Sequence, residues 1–449
     1  MVVAFAPYPD YRVSNMSLGA LCVAALGVVI VVSCFTKLNV GVLAIGIAWI
    51  IGVYIAGLPG ASIIAGFPTA LFLTLVGVTL LFSLAQSNGT LDRVARHAVR
   101  TCRGNRGLVA TMYFVMAAAL ATIGPGNIAT AAILAPMAMS TAARVGIPAF
   151  LMAIMVGNGA NAGALSPFAP TGIIVSGIMT KIGMPGFEWE SYAYNLMGHA
   201  LVAFGGFFLF GGVKLFTRGA AASPVANTIP NGVPNGVPRA GDPDCLPEND
   251  EPFEFRHWLT IGVVTALIFS VILFDVNVGM GAFVCAVILV LARAADDGAA
   301  IKAMPWGVIV MVCGVTVLIG LLEKTQGIEL LVSLIARLST AESVTAVVAM
   351  LTGLVSVYAS TSGVVLPAFL PMVPGLALTL GVTDASAIAQ SMNVGAHLVD
   401  VSPLSTIGAL CIASAAAGTD TRRLFNQLLA WGLSMCVVGA VVCYFMFGG

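Results

Sequence analysis

Gly157-Asn158-Gly159-Ala160-Asn161-Ala162-Gly163-Ala164-Leu165-Ser166-Pro167 and Met392-Asn393-Val394-Gly395-Ala396-His397-Leu398-Val399-Asp400-Val401-Ser402-Pro403 are the two stretches that decide the fold. Each interrupts an apolar run with helix-breaking and polar residues. Lipid offers no partner for unwound backbone, so a helix broken at membrane depth has to line a protein-walled cavity. Two breaks at corresponding places in two halves form the pattern of a transport site.

The chain around these breaks belongs in a bilayer. Its 449 residues are 59% hydrophobic and 8% charged, whereas a soluble domain carries about 25% charged residues. The runs 18–35, 40–58 and 259–274 are about the length that crosses a hydrocarbon core of roughly 30 Å. Strand-type alternation is absent, which excludes a β-barrel and leaves a polytopic helix bundle. Met1–Ser17 lacks a basic leader region, so the first apolar run reads as a retained span. The nine cysteines show no CxxC pair or metal-type spacing and read as small packing residues, and no cofactor is expected. An enzyme finds no support either: the chain has no paired membrane aspartates, no serine nucleophile with a suitably placed base and no zinc-type histidine cluster. No nucleic-acid partner is expected.

Internal repetition organises the rest. Asn39-Val40-Gly41 recurs as Asn277-Val278-Gly279, Gly77-Val78-Thr79 as Gly314-Val315-Thr316, and Pro136-Met137 as Pro371-Met372. Asn158 then matches Asn393, Ser166-Pro167 matches Ser402-Pro403, and Gly172 matches Gly408. The offset stays between 235 and 238 residues along the whole half. The expected organisation is an N-terminal tail 1–16, a first repeat 17–217, a polar linker 218–256 and a second repeat 257–449. The linker contains the low-complexity repeats Pro230–Val233 and Pro234–Val237.

Spans are expected at 17–35, 40–58 and 69–86, followed by an arginine-rich amphipathic segment. Two short arms, 107–124 and 127–142, hinge at Gly124-Pro125-Gly126-Asn127 and read as a re-entrant hairpin. The broken span 149–178 and a last span 193–216 complete the half. The second half repeats the plan with 257–274, 278–294 and 304–322, then a hairpin of 343–359 and 363–380 hinged at Ser360-Thr361-Ser362, the broken span 384–415, and 424–447. The fold class is thus an all-α polytopic membrane protein of two repeats, each with five transmembrane helices, one of them broken, plus a re-entrant hairpin. An odd number of crossings per half makes the repeats inverted in topology. Placing Arg93, Arg96, Arg100, Arg103 and Arg106 in the cytoplasm by the positive-inside rule puts fifteen of the nineteen Lys and Arg inside. Arg12, Lys181, Lys324 and Arg337 fall outside, with both termini outside and the linker cytoplasmic. The arginine cluster itself reads as a topological determinant and headgroup contact.

Serine is a preferred N-cap and proline suits the first helical position, so Ser166-Pro167 and Ser402-Pro403 are expected to restart helices after the unwound stretches. Such half-helices aim their free N–H groups and positive dipole ends at the membrane centre, which makes an anion site without lysine or arginine. The hairpin tips Gly126-Asn127 and Ser360-Thr361-Ser362 add further half-helix starts. Amide oxygens and unwound carbonyls suit sodium, whereas N–H and hydroxyl groups suit a carboxylate, and the two together suggest symport. Expected substrate-binding residues are Asn127, Asn158, Asn161, Ser166, Ser360, Thr361, Ser362, Asn393 and Ser402. Expected ion-coupling residues are Gly126, Asn127, Asn158, Ser362, Asn393, His397 and Asp400, with sodium at Asn127 and Asn158 and at Ser362 and Asn393. His397 and Asp400 have no ionisable counterpart in the first half, where Asn161 and Leu165 align. Asp400 is a candidate for the coupling cation or a proton, or else a cap for the helix restarting at Ser402. His199 reads as interfacial or packing near the outer end of its span, and Glu323 as an outer-boundary residue.

The paired Gly-Asn-Gly-Ala-Asn-Ala-Gly…Ser-Pro and Asn-Val-Gly-Ala-His…Ser-Pro segments, each behind a hairpin, resemble the MatC-type dicarboxylate (malonate) carriers of the ion-transporter superfamily. The resemblance covers essentially the whole chain outside the linker. It implies a secondary transporter in the inner membrane that takes up a small dicarboxylate, malonate or a C4 acid, with sodium. It also implies a homodimer built on a scaffold of 17–86 and 257–322, with hairpins and broken helices moving as an elevator on connecting arms at 90–105 and 326–340. Related divalent-anion/sodium symporters carry Ser-Asn-Thr at both tips, where this chain has Gly126-Asn127-Ile128 and Ser360-Thr361-Ser362. Proton-coupled dicarboxylate symport, and cation/proton antiport through Asp400, are the alternatives.

Overall fold

A computed structural model describes residues 15–36, 38–100, 106–217, 252–416 and 418–448. The N-terminal tail up to 14, residues 218–251 of the expected linker, and Arg12, Lys37, Arg103, Arg218 and Arg239 lie outside the described residues. Among the described residues every regular element is helical. The chain runs α1 (Asn15–Phe35), α2 (Val40–Trp49, continued by a π-helical stretch to Ile55), α3 (Gly60–Ile64), α4 (Thr69–Ser87) and α5 (Thr90–Arg100). A hairpin of α6 (Arg106–Ile123) and α7 (Gly126–Val145) follows, then the broken pair α8 (Ala149–Ala162) and α9 (Pro170–Lys181), then α10 (Glu188–Leu209) and α11 (Val213–Thr217). The later part runs α12 (Phe255–Phe274), α13 (Val278–Leu291), α14 (Asp297–Ala303), α15 (Trp306–Lys324) and α16 (Gly327–Ala336). Its hairpin is α17 (Val344–Ser356) and a return arm of π-helix Thr361–Val365, α18 (Leu366–Phe369), a 3-10 turn and α19 (Val373–Leu380). The second broken pair, α20 (Ala385–Leu398) and α21 (Thr406–Ala413), leads to α22 (Thr421–Phe447). Seven described helical stretches are long and apolar enough to cross a membrane, which makes this a multi-pass membrane protein.

The repeated motifs turn out to be the places where the two halves touch. Gly41 on α2 lies against the Val310–Met311 backbone of α15, and a Cβ on Gly314 of α15 would overlap the Gly41 carbonyl. Reciprocally, a Cβ on Gly77 of α4 would overlap the carbonyl of Gly279 on α13, and Gly279 itself faces Thr74. The first motif of each half therefore packs on the second motif of the other. Without side chains between them the helices approach backbone to backbone, the close packing that small residues permit in membranes. The asparagines of the motif start these helices: Asn39 Oδ1 accepts from Gly41 N at 3.0 Å, and Asn277 Oδ1 from Met280 N at 3.1 Å. Asn39 also donates to Gly307 O at 2.8 Å, tying α2 to the start of α15.

Polar contacts collect at the two ends of α4, which at 1.5 Å per residue lie about 28 Å apart. At its C-terminal end Asn88 donates to Thr260 Oγ1 at 2.8 Å, and His257 Nε2 donates to Asn88 O at 3.1 Å. Beyond the N-terminal end, Lys324 Nζ donates to Ser62 O at 2.6 Å. Near Lys324, Lys181 pairs with Glu323 at 2.8 Å, both half-exposed. Apolar side chains divide into two clusters, one centred on residues such as Leu81, Leu318 and Leu366, the other on Met152, Phe207 and Leu428.

Both breaks are unwound, and their hydrogen bonds coincide. Ala164, Ser166 and Ala169 donate from their amides to the carbonyls of Asn161, Gly163 and Ser166; 236 residues later Asp400, Ser402 and Ser405 donate to those of His397, Val399 and Ser402. This register makes Ala164, and not Leu165, the counterpart of Asp400. It also corrects the expected restart at Ser166-Pro167 and Ser402-Pro403. The chain first makes three consecutive turns, and the helices resume at Pro170 and Thr406, with Ala169 and Ser405 in the N-cap position. Ser166 Oγ donates to Thr122 O at 2.7 Å, which pins the first break to the end of α6. Gly172 and Gly408 then pass so close to the Ser166 and Ser402 carbonyls that a Cβ would overlap them.

The hairpins differ more than the sequence suggests. The expected uniform arm 363–380 is divided, because Pro367, Pro371 and Pro374 each remove a helical N–H donor. In the first hairpin Gly124 (φ 142°) and Gly126 (φ 80°) take conformations that L side chains rarely adopt. Gly124 is further constrained by Phe82, whose ring a Cβ would strike.

Candidate functional site

Three helix beginnings meet at one cavity of about 240 Å³. Its wall includes Asn127 and Ile128 from the first turn of α7, Ser360, Thr361 and Ser362 from the tip of the second hairpin, and Ser405, Thr406 and Ile407 from the restart of α21. The first N–H groups of a helix have no intrahelical acceptor, so these turns bring positive dipole ends to one place, together with the N–H donors that Asn127 Oδ1 and Ser360 Oγ do not take up. His397 and Asp400 complete the polar side, and Ser33 of α1 stands at the wall as well. No lysine or arginine is among the lining residues.

In each half the hairpin tip bonds to the break behind it. Asn127 Nδ2 donates to Asn161 Oδ1 at 2.8 Å. Thr361 Oγ1 donates to Asp400 Oδ1 at 2.6 Å, and Ser356 Oγ bonds to Thr361 Oγ1 in turn. The Asp400 carboxylate therefore does not cap the following helix; Ser405, whose hydroxyl donates to the Asp400 carbonyl, holds its backbone instead. Ser360 Oγ accepts from Gly363 N at 3.2 Å and starts the return arm.

Of the residues expected from sequence, the structure brings Asn127, Ser360, Thr361, Ser362, His397 and Asp400 to the cavity. Asn158, Asn161, Asn393, Ser166, Ser402 and Gly126 are not on its wall. Asn158 is fully buried, with Nδ2 donating to Ile154 O at 2.8 Å and Oδ1 accepting from His199 Nδ1 at 2.9 Å. His199 is thus neither interfacial nor at the outer end of a span; it lies in the middle of α10 with 0% exposure. Its burial goes with a polar stripe on α10. Ser191, Asn195 and His199 recur every four residues along one face of α10. Asn195 Nδ2 donates to Asn161 O at 2.7 Å, at the end of α8. On α20 the facing stripe is Gln390, Asn393 and His397, and Gln390 Nε2 donates to Ser191 Oγ at 2.9 Å. The four-residue spacing on α10 was available in the sequence, but the polar partners on α8 and α20 were not.

Comparison with known proteins agrees with this architecture. Residues 16–164 match the family model described as dicarboxylate carrier protein MatC N-terminus. Among solved structures the chain is similar to the YdaH transporter of Alcanivorax borkumensis, described as having an unusual topology, with a TM-score of 0.58 at 14% identity over 97% of this chain and 98% of that one. No curated protein matches the sequence. The two matches lead to transporters and neither leads to an enzyme. The chain is therefore a polytopic membrane protein with a transporter fold, and its resemblance to the MatC-type dicarboxylate carriers holds over residues 16–164.

Proposed function

We propose that the protein is a secondary active transporter that takes up a small dicarboxylate, malonate or a C4 acid, together with sodium. The observation that carries this reading is the meeting of three helix N-termini beside Asp400 in a cavity lined by no lysine or arginine. Free N–H groups and dipole ends favour a carboxylate there. The carboxylate of Asp400 opposes it, so a dianion is held only when a cation neutralises that charge. Sodium ligated by Asp400, Thr361 and Ser362 on one side and by Asn127 on the other meets this need with hard oxygen donors. Asn158 and Asn393 then act from behind the wall rather than as direct ligands. Each ion favours the binding of the other, which is the thermodynamic content of symport.

The two halves act as inverted-topology repeats in the inner membrane. The contacts at the two ends of α4 agree with the charge-derived orientation: Ser62, Lys181, Glu323 and Lys324 on the outer side, Asn88, His257 and Ala294 on the inner. Both termini lie outside and the linker inside. The hairpins and broken helices carry the cavity across the bilayer in an elevator movement within a homodimer. A proton replaces sodium in the second reading, as symport or as cation/proton antiport, and the burial of Asp400 in a cavity lined by no lysine or arginine favours it.

A thermal-shift titration of purified protein with malonate and succinate, in sodium and in choline media, tests both readings. Mutual enhancement of the sodium and dicarboxylate shifts is expected. Equal dicarboxylate shifts in choline would remove sodium from the reading. Proton-coupled exchange that depends on Asp400, without any dicarboxylate shift, would replace it with antiport.

A further inference from the structure

The depth of the cavity follows from what its walls touch. Among the described lining residues Ser33 alone lies outside the hairpins and broken helices. It stands two residues before the end of α1. Near the start of the same helix Gly19 faces the Thr325 carbonyl, 2.8 Å from where its Cβ would be, beside the Lys324 end of α15. Fourteen residues separate Gly19 from Ser33, about 21 Å of helix. The chain meets α15 again at Gly41, against Val310 and Met311. Ser33 therefore lies toward the Trp306 end of α15, which is the inner end in the orientation given above.

The hairpin tips sit at a similar depth. A Cβ on Gly124 of the first tip would strike the ring of Phe82, and a Cβ on Gly363 of the second would strike the side chain of Met311. Phe82 is five residues before Ser87, where α4 ends on the inner side, and Met311 is five residues after Trp306. Each contact is thus about 8 Å from the inner end of its helix.

The register of the repeats indicates where the tips go in the opposite position. The offset of 237 that relates Gly77 to Gly314 relates Phe82 to Ile319 and Thr74 to Met311. The offset of 235 that relates Pro136 to Pro371 relates Gly124 to Ala359 and Ile128 to Gly363. Exchanging the roles of the two halves sets Ile128 against Thr74 and Ala359 against Ile319. The first tip then slides along α4 from Phe82 to Thr74, and the second along α15 from Met311 to Ile319. Both steps are eight residues toward the outer ends, about 12 Å. Ser33 belongs to α1 and does not follow.

We propose that the cavity is seen here in its cytoplasm-facing position, and that Ser33, on a helix that stays in place, completes it in this position and in no other. Cargo then leaves past the inner end of α1, where the Ser33 hydroxyl can donate to a carboxylate or accept from a cation's water shell. The proposal rests on the inverted-repeat and elevator reading and does not depend on which ions are carried.

The test uses the full chain with Cys34, Cys102 and Cys245 replaced by alanine, the other six cysteines being buried. A charged, membrane-impermeant thiol reagent is expected to label Ser33→Cys at least about 10-fold faster in inside-out than in right-side-out vesicles. Tyr358→Cys, exposed on the same cavity wall, should show the same sidedness and carries the test if Ser33→Cys fails to fold. The pairs Thr74→Cys/Ile128→Cys and Ile319→Cys/Ala359→Cys, with Ser33 intact, are expected to crosslink in membranes and to stop uptake until reduced. Ser33→Trp fills the cavity only in the cytoplasm-facing position, so it should speed both crosslinks about three-fold or more. Labelling no faster from the cytoplasmic face, or crosslinking indifferent to Ser33→Trp, would overturn the assignment of Ser33 and leave the elevator reading standing. Cytoplasmic labelling without either crosslink would overturn the travel, and the elevator reading with it.

Discussion

The two breaks share a backbone and differ in chemistry. Residues 161–169 and 397–405 make the same turns and the same close glycine approach, and each break bonds to the hairpin tip ahead of it, though at unmatched positions. In the first half that contact is neutral, Asn127 to Asn161; in the second it is a hydroxyl on a carboxylate, Thr361 to Asp400. The repeated backbone builds the cavity, while the unmatched side chains decide what charge the cavity tolerates. Shape and charge are therefore encoded at different positions, and they can be perturbed separately.

The largest effect is expected where the halves differ. Asp400→Asn keeps the shape of the break but removes the charge that calls for a cation. Uptake of labelled dicarboxylate into proteoliposomes is expected to fall about 100-fold or more, as for loss of an ion-coupling group whose binding energy other residues cannot replace. Dicarboxylate binding that persists without cation dependence would sharpen the assignment, since only coupling is then lost. Unchanged sodium-driven uptake would break it. Thr361→Val removes the donor but leaves the carboxylate, and about a 10-fold loss follows from one missing charge-assisted hydrogen bond.

The next effect tests what the halves share. Gly172→Ala and Gly408→Ala each drive a methyl group into a carbonyl oxygen, of Ser166 and Ser402 respectively. Overpacking of this kind costs about 1–3 kcal/mol. The two losses, read as thermal midpoints in one detergent, should agree within about 0.5 kcal/mol, the usual scatter for independent sites. A large inequality would mean that the matched hydrogen bonds conceal different packing.

Much of this was legible in the sequence because it rests on residues whose backbone roles are narrow. Asn39 and Asn277 start helices, Gly41, Gly77, Gly279 and Gly314 allow helices to touch, and the hairpin tips reach the cavity through Asn127 and through Ser360, Thr361 and Ser362. The restart positions differ from the expected ones because Ser-Pro suits a helix start and also suits a tight turn, and the three turns that run from Asn161 to Ala169 depend on contacts such as Ser166 to Thr122. Of the two expectations for His199, interfacial or packing, only packing holds, for a related reason. One histidine on an apolar span has no sign of its own, and only Asn158 from α8 and the stripe on α20 show that it faces a polar interior. Local conformation could be read along the chain, whereas the partners of a buried polar group had to come from packing.

A smaller effect tests whether the two regions move relative to each other. Lys181 ends α9, the second arm of the first break, and Glu323 ends α15, which packs on α2 through Gly314 and Gly41. The pair is 48% and 40% exposed, so its loss in Lys181→Ala should cost less than about 1 kcal/mol of stability. Under the elevator reading, however, α9 travels with the cavity while α15 stays, and the ion pair exists only in the state seen here. Its removal then changes the balance between states more visibly than the melting temperature. A two- to five-fold change in uptake rate is expected from about 0.4–1 kcal/mol of differential stabilisation, with recovery in the charge-swapped Lys181→Glu/Glu323→Lys protein. If uptake in Lys181→Ala matches wild type at low and high ionic strength, either the pair contributes nothing or α9 and α15 move together; a Lys181→Cys/Glu323→Cys crosslink that leaves uptake intact would establish the latter and exclude this division between moving and fixed parts.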